Sequence, residues 1–143
     1  MNNYISNQSQ QFEGKVIIVT GSTQGSGAET AKLFAARGAK AVTICGRQEN
    51  KGAEIKKEIE DLGSKCLYVK ADLSKVEDCK KIVDLTDKEF GTVHSLVNVA
   101  GYTERGTILS TTLENYEKNF MDRGSWFIVK WKCLCWKKRC WKR

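Results

Sequence analysis

The stretch Thr20-Gly21-Ser22-Thr23-Gln24-Gly25-Ser26-Gly27 constrains this chain more than any other. It follows KVIIVT (residues 15–20), a short β-branched run that reads as a buried strand. It leads into residues 26–37, where Ala28, Ala31, Phe34 and Ala35 recur at helical spacing and Gly38 stands at the C-terminal cap position. Glycines in such a strand-to-helix turn have separate mechanical uses. Gly21 permits the tight turn, Gly25 lets backbone approach a pyrophosphate, and Gly27 lets helix and sheet pack closely. The helix start offers free N–H groups and a positive dipole end to phosphate. A bare turn could use the same glycines. The strand before and the helix after favour a dinucleotide site, with Thr23, Gln24 and Ser26 between the glycines.

The rest of the pattern repeats the strand–helix alternation. Residues 41–45 and 66–70 read as strands. Between them, residues 49–62 place Ile55, Ile59 and Leu62 on one helical stripe closed by Gly63. Ser74 with Glu77 makes a capping box for a helix carrying Val76, Cys79, Val83 and Phe90. Residues 93–97 predict a fourth strand, and Thr111 with Glu114 caps a last helix carrying Leu113, Tyr116 and Phe120. The fold class expected is α/β: a partial Rossmann fold, that is, a doubly wound parallel sheet of order 3-2-1-4 with helices on both faces. In that order the fourth strand keeps one neighbour, and its outer edge presents unpaired backbone groups. Self-association and aggregation are the expected consequence.

Composition divides the chain. At 143 residues it has room for one domain, and 41% hydrophobic content supports a core. No apolar run reaches the roughly 20 residues of a membrane span, and residues 1–11 form a polar arm without a secretory pattern. The reading is a soluble, cytoplasmic protein. The net charge of +7 sits in the last fourteen residues, which hold seven Lys or Arg and no acid. This argues against a basic folded surface and against a specific nucleic-acid partner. Trp126, Trp131, Trp136 and Trp141 are spaced by five, which lines neither one helix face nor one strand face. Cys133, Cys135 and Cys140 make an incomplete zinc set, so no metal is expected. The expected layout is a polar arm (1–11), an incomplete nucleotide-binding domain (12–123) and a Trp/Cys/Lys-rich tail (124–143) that binds no membrane surface. Cys45, Cys66 and Cys79 read as small core residues, and His94, the lone histidine, as structural.

The TGxxxGxG spacing, Ala71-Asp72-Leu73 after the third strand, Asn98-Val99-Ala100-Gly101 after the fourth and the helix at 113–120 stand in order. Together they resemble the short-chain dehydrogenase/reductase family over residues 12–120. The resemblance implies an oxidoreductase that transfers hydride between a nicotinamide dinucleotide and a carbonyl or alcohol. It implies that Asp72 and Leu73 contact adenine, and that Asn98, Ala100 and Gly101 line the cofactor. Which nicotinamide follows from the end of the second strand. There Cys45-Gly46-Arg47 offers an arginine and no acid before Glu49, which selects NADP(H) over NAD(H). A solvated Arg47, or one stacked on adenine, is the alternative.

The family's catalytic pair is absent. Four residues after Tyr4, Tyr68, Tyr102 and Tyr116 stand Gln8, Asp72, Gly106 and Phe120, where the family has a Lys. The helix Asn is missing from Phe120-Met121-Asp122-Arg123-Gly124. The expectation is a cofactor-binding half cut short of its catalytic residues, and inactive as written. The competing reading is a non-catalytic interaction module. It would act through its tail, as a homo-oligomer, or by pairing with a full-length family member.

Overall fold

Val16-Ile17-Ile18-Val19-Thr20 is wholly β-branched, which suits a strand buried on both faces. The computed structural model describes residues 10–101, 107 and 109–120. In it this run forms β1 (Val16–Thr20), followed by β2 (Ala41–Gly46), β3 (Lys65–Lys70) and β4 (Ser95–Asn98). All pairings are parallel and the order is β3-β2-β1-β4, as expected. The helices α1 (Gly25–Ala36), α2 (Glu49–Asp61) and α3 (Val76–Phe90) make the crossovers, and α4 (Leu113–Phe120) follows β4.

Side-chain alternation sorts the core into two layers. Ile17, Val19, Val42, Ile44 and Cys66 pack with Ala31 and Ala35 of α1 and Ile59 of α2. On the opposite face Ile18, Cys45 and Val69 pack with Cys79, Ile82 and Val83 of α3. The helices therefore cover both faces. One polar pair lies inside the second layer. The Thr86 hydroxyl is 3.0 Å from the Thr43 hydroxyl and 2.7 Å from the Ile82 carbonyl oxygen, so neither Thr is left unsatisfied. Cys45, Cys66 and Cys79 are buried. Burial pushes the Cys45 and Cys66 thiols up to about 12, so both stay protonated.

Local details depart from the sequence reading where two hydrogen-bonding options compete. The Ser74 capping box does not form. The α3 N-cap is Lys75, without a side-chain cap, one residue past Ser74, whose N–H and hydroxyl donate to the Asp72 carboxylate at 3.1 and 2.8 Å in the turn before the helix. At α4 the capping oxygen belongs to Thr112, which accepts from the Asn115 N–H, while Thr111 donates to the Thr107 carbonyl. Leu62 is 46% exposed rather than aligned with buried Ile59, because it is the C-cap of α2, ahead of Gly63 at φ 93°. The fourth strand begins at Ser95, two residues later than the pattern suggested. Among the described residues β4 pairs with β1 alone, and its Leu96 and Val97 are half-buried. The arm before residue 10 and the tail at 124–143 lie outside the described residues.

His94 explains the late start of β4. The Val16 N–H donates to His94 Nδ1 at 3.0 Å, and the His94 N–H donates back to the Val16 carbonyl at 2.9 Å. An accepting Nδ1 must be unprotonated. Desolvation first, then the charges of Lys15 and Lys40, hold the imidazole below its ordinary value. The folded chain thus binds this proton less tightly than the unfolded chain. The contribution to stability is full above the unfolded value of about 6.5 and is lost as pH falls from there through the lower folded value. The melting temperature should decline between pH 7.5 and 5.5, and His94→Gln, which keeps an acceptor, should flatten that decline. Thermal melts at stepped pH check it, and an unchanged slope in the variant would contradict the assignment.

Candidate dinucleotide-binding site

The turn after β1 is held by hydroxyls on both sides. Ser22 donates its hydroxyl to the Val19 carbonyl at 2.6 Å and accepts the Cys45 N–H at 3.0 Å, which ties the turn to β2. The Thr20 hydroxyl accepts the N–H groups of Val99 and Ala100 at 3.1 and 3.3 Å, which ties the segment after β4 to β1. Gly21 has φ 64°, and a Cβ there would stand 2.7 Å from the Ala100 Cα. Two backbones meet at that point with no room for a side chain. A Cβ on Gly27 would run into the Gly21 carbonyl, so α1 rests directly on the turn. Gly25 has φ 58° and open space where its Cβ would be. The N-cap of α1, Gln24, makes no side-chain cap hydrogen bond, and the first turn carries no acid. Its leading N–H groups are free for an anion, which fits a pyrophosphate.

The other expected residues gather at the same end of the sheet. Arg47 follows β2, Asp72 and Leu73 follow β3, and Asn98 ends β4 ahead of Ala100 and Gly101. The crevice between the turns after β1 and β4 is where the strand order reverses, the usual ligand position in an open parallel sheet. Arg47 is exposed and makes no hydrogen bond or ion pair among the described residues. The Asp72 carboxyl lies below its ordinary value, first through the Ser74 hydroxyl, then the Ser74 N–H, with the charges of Lys75 and Arg47 adding. Its carboxylate is thus engaged in its own turn, and its N–H donates to Asp78 Oδ2 at 2.8 Å. Leu73 is half-buried against the α3-side core.

Sequence reasoning missed the brace behind Arg47. The Tyr68 hydroxyl donates to the Gly46 carbonyl at 3.0 Å, and the same oxygen accepts the Ala71 N–H at 3.1 Å. The Tyr68 ring lies where a Cβ on Gly52 of α2 would be, and a Cβ on Gly46 would stand 2.6 Å from Thr23 Oγ1. Gly46 is therefore clamped between β3 and the glycine loop. Gly52 was the available signal, because a glycine inside a helix asks for a packing reason. Two further contacts flank this clamp. Lys51 Nζ donates to Gln24 Oε1 at 2.6 Å, and Lys70 pairs with Glu49 at 3.2 Å. Among the described residues no three metal-ligating side chains converge, and no helix is long and apolar enough to cross a membrane.

A glycine turn at the switch point of a sheet in this order defines an α/β nucleotide-binding fold. The short chain dehydrogenase model matches residues 15–122, and the chain belongs to that family. It is similar to 11-beta-hydroxysteroid dehydrogenase A of Sesamum indicum, with 42% identity over 94 residues, 65% of this chain and 27% of that protein. It is also similar to tropinone reductase-like 1 of Erythroxylum coca, with 38% identity over 114 residues, 80% of this chain and 40% of that protein. Among solved structures, a dehydrogenase/reductase from Sinorhizobium meliloti 1021 superposes with TM-score 0.78 at 25% identity, covering 91% of this chain and 52% of that one. The chain thus spans 27% and 40% of the length of these two curated relatives.

Gly21→Ala should cost about 2–4 kcal/mol, since it combines a left-handed φ with overlap on the Ala100 backbone. Gly25→Ala, strained in φ alone at an open position, should cost about 1–2 kcal/mol. Thermal or urea melts compare the two. Equal losses would mean that the turns after β1 and β4 are not in backbone contact.

Proposed function

We propose that the chain forms the nucleotide-binding portion of an NADP(H)-dependent oxidoreductase acting on a carbonyl or alcohol. The observation that carries this reading is Arg47: an exposed guanidinium, with no hydrogen bond or ion pair among the described residues, at the turn after β2. No carboxylate occupies that turn, and the nearest in sequence, Glu49, is engaged by Lys70. An acid there would accept from a ribose 2′-hydroxyl and repel a phosphate; an arginine accepts the phosphate. The pyrophosphate would lie on Gly21, Thr23, Gln24, Gly25, Ser26 and Gly27. Asp72 and Leu73 would flank adenine, and Asn98, Ala100 and Gly101 would wall the far side. Bound nicotinamide supplies or accepts a hydride. The names of the relatives, a hydroxysteroid dehydrogenase and a tropinone reductase-like protein, support a hydroxyl- or carbonyl-bearing substrate.

Within these 143 residues no Tyr is followed by Lys four positions on, so the chain by itself binds cofactor without turning it over. Purified chain should oxidise no NADPH above a protein-free control across a panel of ketones and aldehydes, and robust turnover would overturn that statement. Arg47→Ala should weaken NADPH about tenfold and NADH less than about twofold, by fluorescence titration. Equal loss for both would assign Arg47 to adenine stacking.

The outer edge of β4 favours a second role. Among the described residues β4 has no partner on that edge, and in the segment that follows it in sequence Leu109, Leu113 and Tyr116 are 96%, 73% and 59% exposed, which supports pairing with a second copy or with a full-length family member. Size-exclusion chromatography with light scattering tests this, and a monodisperse monomer at micromolar concentration would count against it.

A further inference from the structure

We infer that Lys51 is a second cation of the 2′-phosphate site, delivered to the glycine loop by α2; this rests on the NADP(H) reading. The Lys51 ammonium lies 2.6 Å from Gln24 Oε1, a tie across 27 residues of sequence. Arg47 enters the same corner through its backbone. It follows Gly46, whose Cα faces the Thr23 side chain so closely that no Cβ fits between. The Lys51 ammonium therefore lies on Gln24, and the backbone that leads into Arg47 lies against the adjacent Thr23.

The charge balance at this corner is one-sided. Glu49 is held by Lys70 at 3.2 Å, and the Asp72 carboxylate is occupied by Ser74 at 2.8 and 3.1 Å. Arg47 and Lys51 are both exposed, and neither has a carboxylate partner at ion-pair distance among the described residues. The amide of Gln24 steadies the ammonium without neutralising it. Lys51 also lies in the first turn of α2, where the helix dipole disfavours a cation. The helix gains nothing from this charge in that place. A phosphomonoester dianion accepts from both cations at once, one as a fork and one as a point charge.

Titration with the cofactor fragments 2′,5′-ADP and 5′-AMP isolates the contribution. The wild-type chain should bind 2′,5′-ADP at least about tenfold more tightly than 5′-AMP. Lys51→Met should weaken 2′,5′-ADP about five- to tenfold, weaken 5′-AMP less than about twofold, and reduce the salt dependence of 2′,5′-ADP binding. Lys51→Arg should restore both affinity and salt dependence, with melting temperatures confirming that each variant folds. If Lys51→Met weakens both fragments equally, Lys51 is only a staple between α2 and the loop and the inference falls. If the wild-type preference survives Lys51→Met unchanged, the inference falls while the NADP(H) reading stands. If the wild-type chain shows no preference for the 2′-phosphate, that reading fails and this one with it.

Discussion

The contact between Gly21 and Ala100 is the constraint on which the rest of the structure depends. It joins the turn after the first strand to the turn after the fourth, residues 79 apart, with no side chain between them. Because Gly21 has no Cβ, β4 can run beside β1 to its last residue, Asn98, and still turn away. Because Gly27 has none, α1 can leave in the opposite sense directly from the turn. The reversal of strand order, and hence the crevice, is the geometric result of these two close approaches. The hydroxyls of Thr20 and Ser22 then lock the turns by accepting N–H groups that no strand partner reaches.

That constraint is written in the sequence as spacing, which is why the fold was legible. The buried runs at 16–20 and 41–46 leave little choice of period, and the glycines mark where the chain must turn. What was not legible depended on competition between neighbours. Ser74 was expected to accept an α3 N–H as the N-cap, but the helix starts one residue later, at Lys75, and Ser74 instead donates to Asp72 in the preceding turn. Thr111 and Thr112 are alike in sequence, and only the path of the chain decides which one faces the α4 N-terminus. The strand at 93–97 was misplaced because His94 accepts a main-chain N–H of Val16, a bond that no periodicity records.

The site divides along the same line. Glycines, Asp72 and the Asn98 segment stood out because the resemblance sets them at fixed intervals within residues 15–122, the span that shows the family. The clamp on Gly46 and the tie from Lys51 to Gln24 escaped because each joins residues 22 or more positions apart through side chains with ordinary surface or core roles. Tyr68 reads as one more apolar residue of β3 until its hydroxyl is seen on the Gly46 carbonyl. Its pKa is raised first by burial and then by the charge of Glu49, which keeps the hydroxyl a donor.

The double anchorage of the Gly46 carbonyl has a consequence for how this corner can change over generations. The backbone leading to position 47 is fixed from behind, by Tyr68 and the Ala71 N–H, and not by the side chain at 47 itself. Arg47 is exposed and carries none of the fold. On the proposed NADP(H) reading, a substitution there would alter ligand preference while leaving the frame that presents it intact, whereas a substitution at Gly21 or Gly27 would remove the frame. Preference for a ligand can therefore drift by single surface exchanges on an unmoving support, and the architecture keeps adaptation and folding on separate residues.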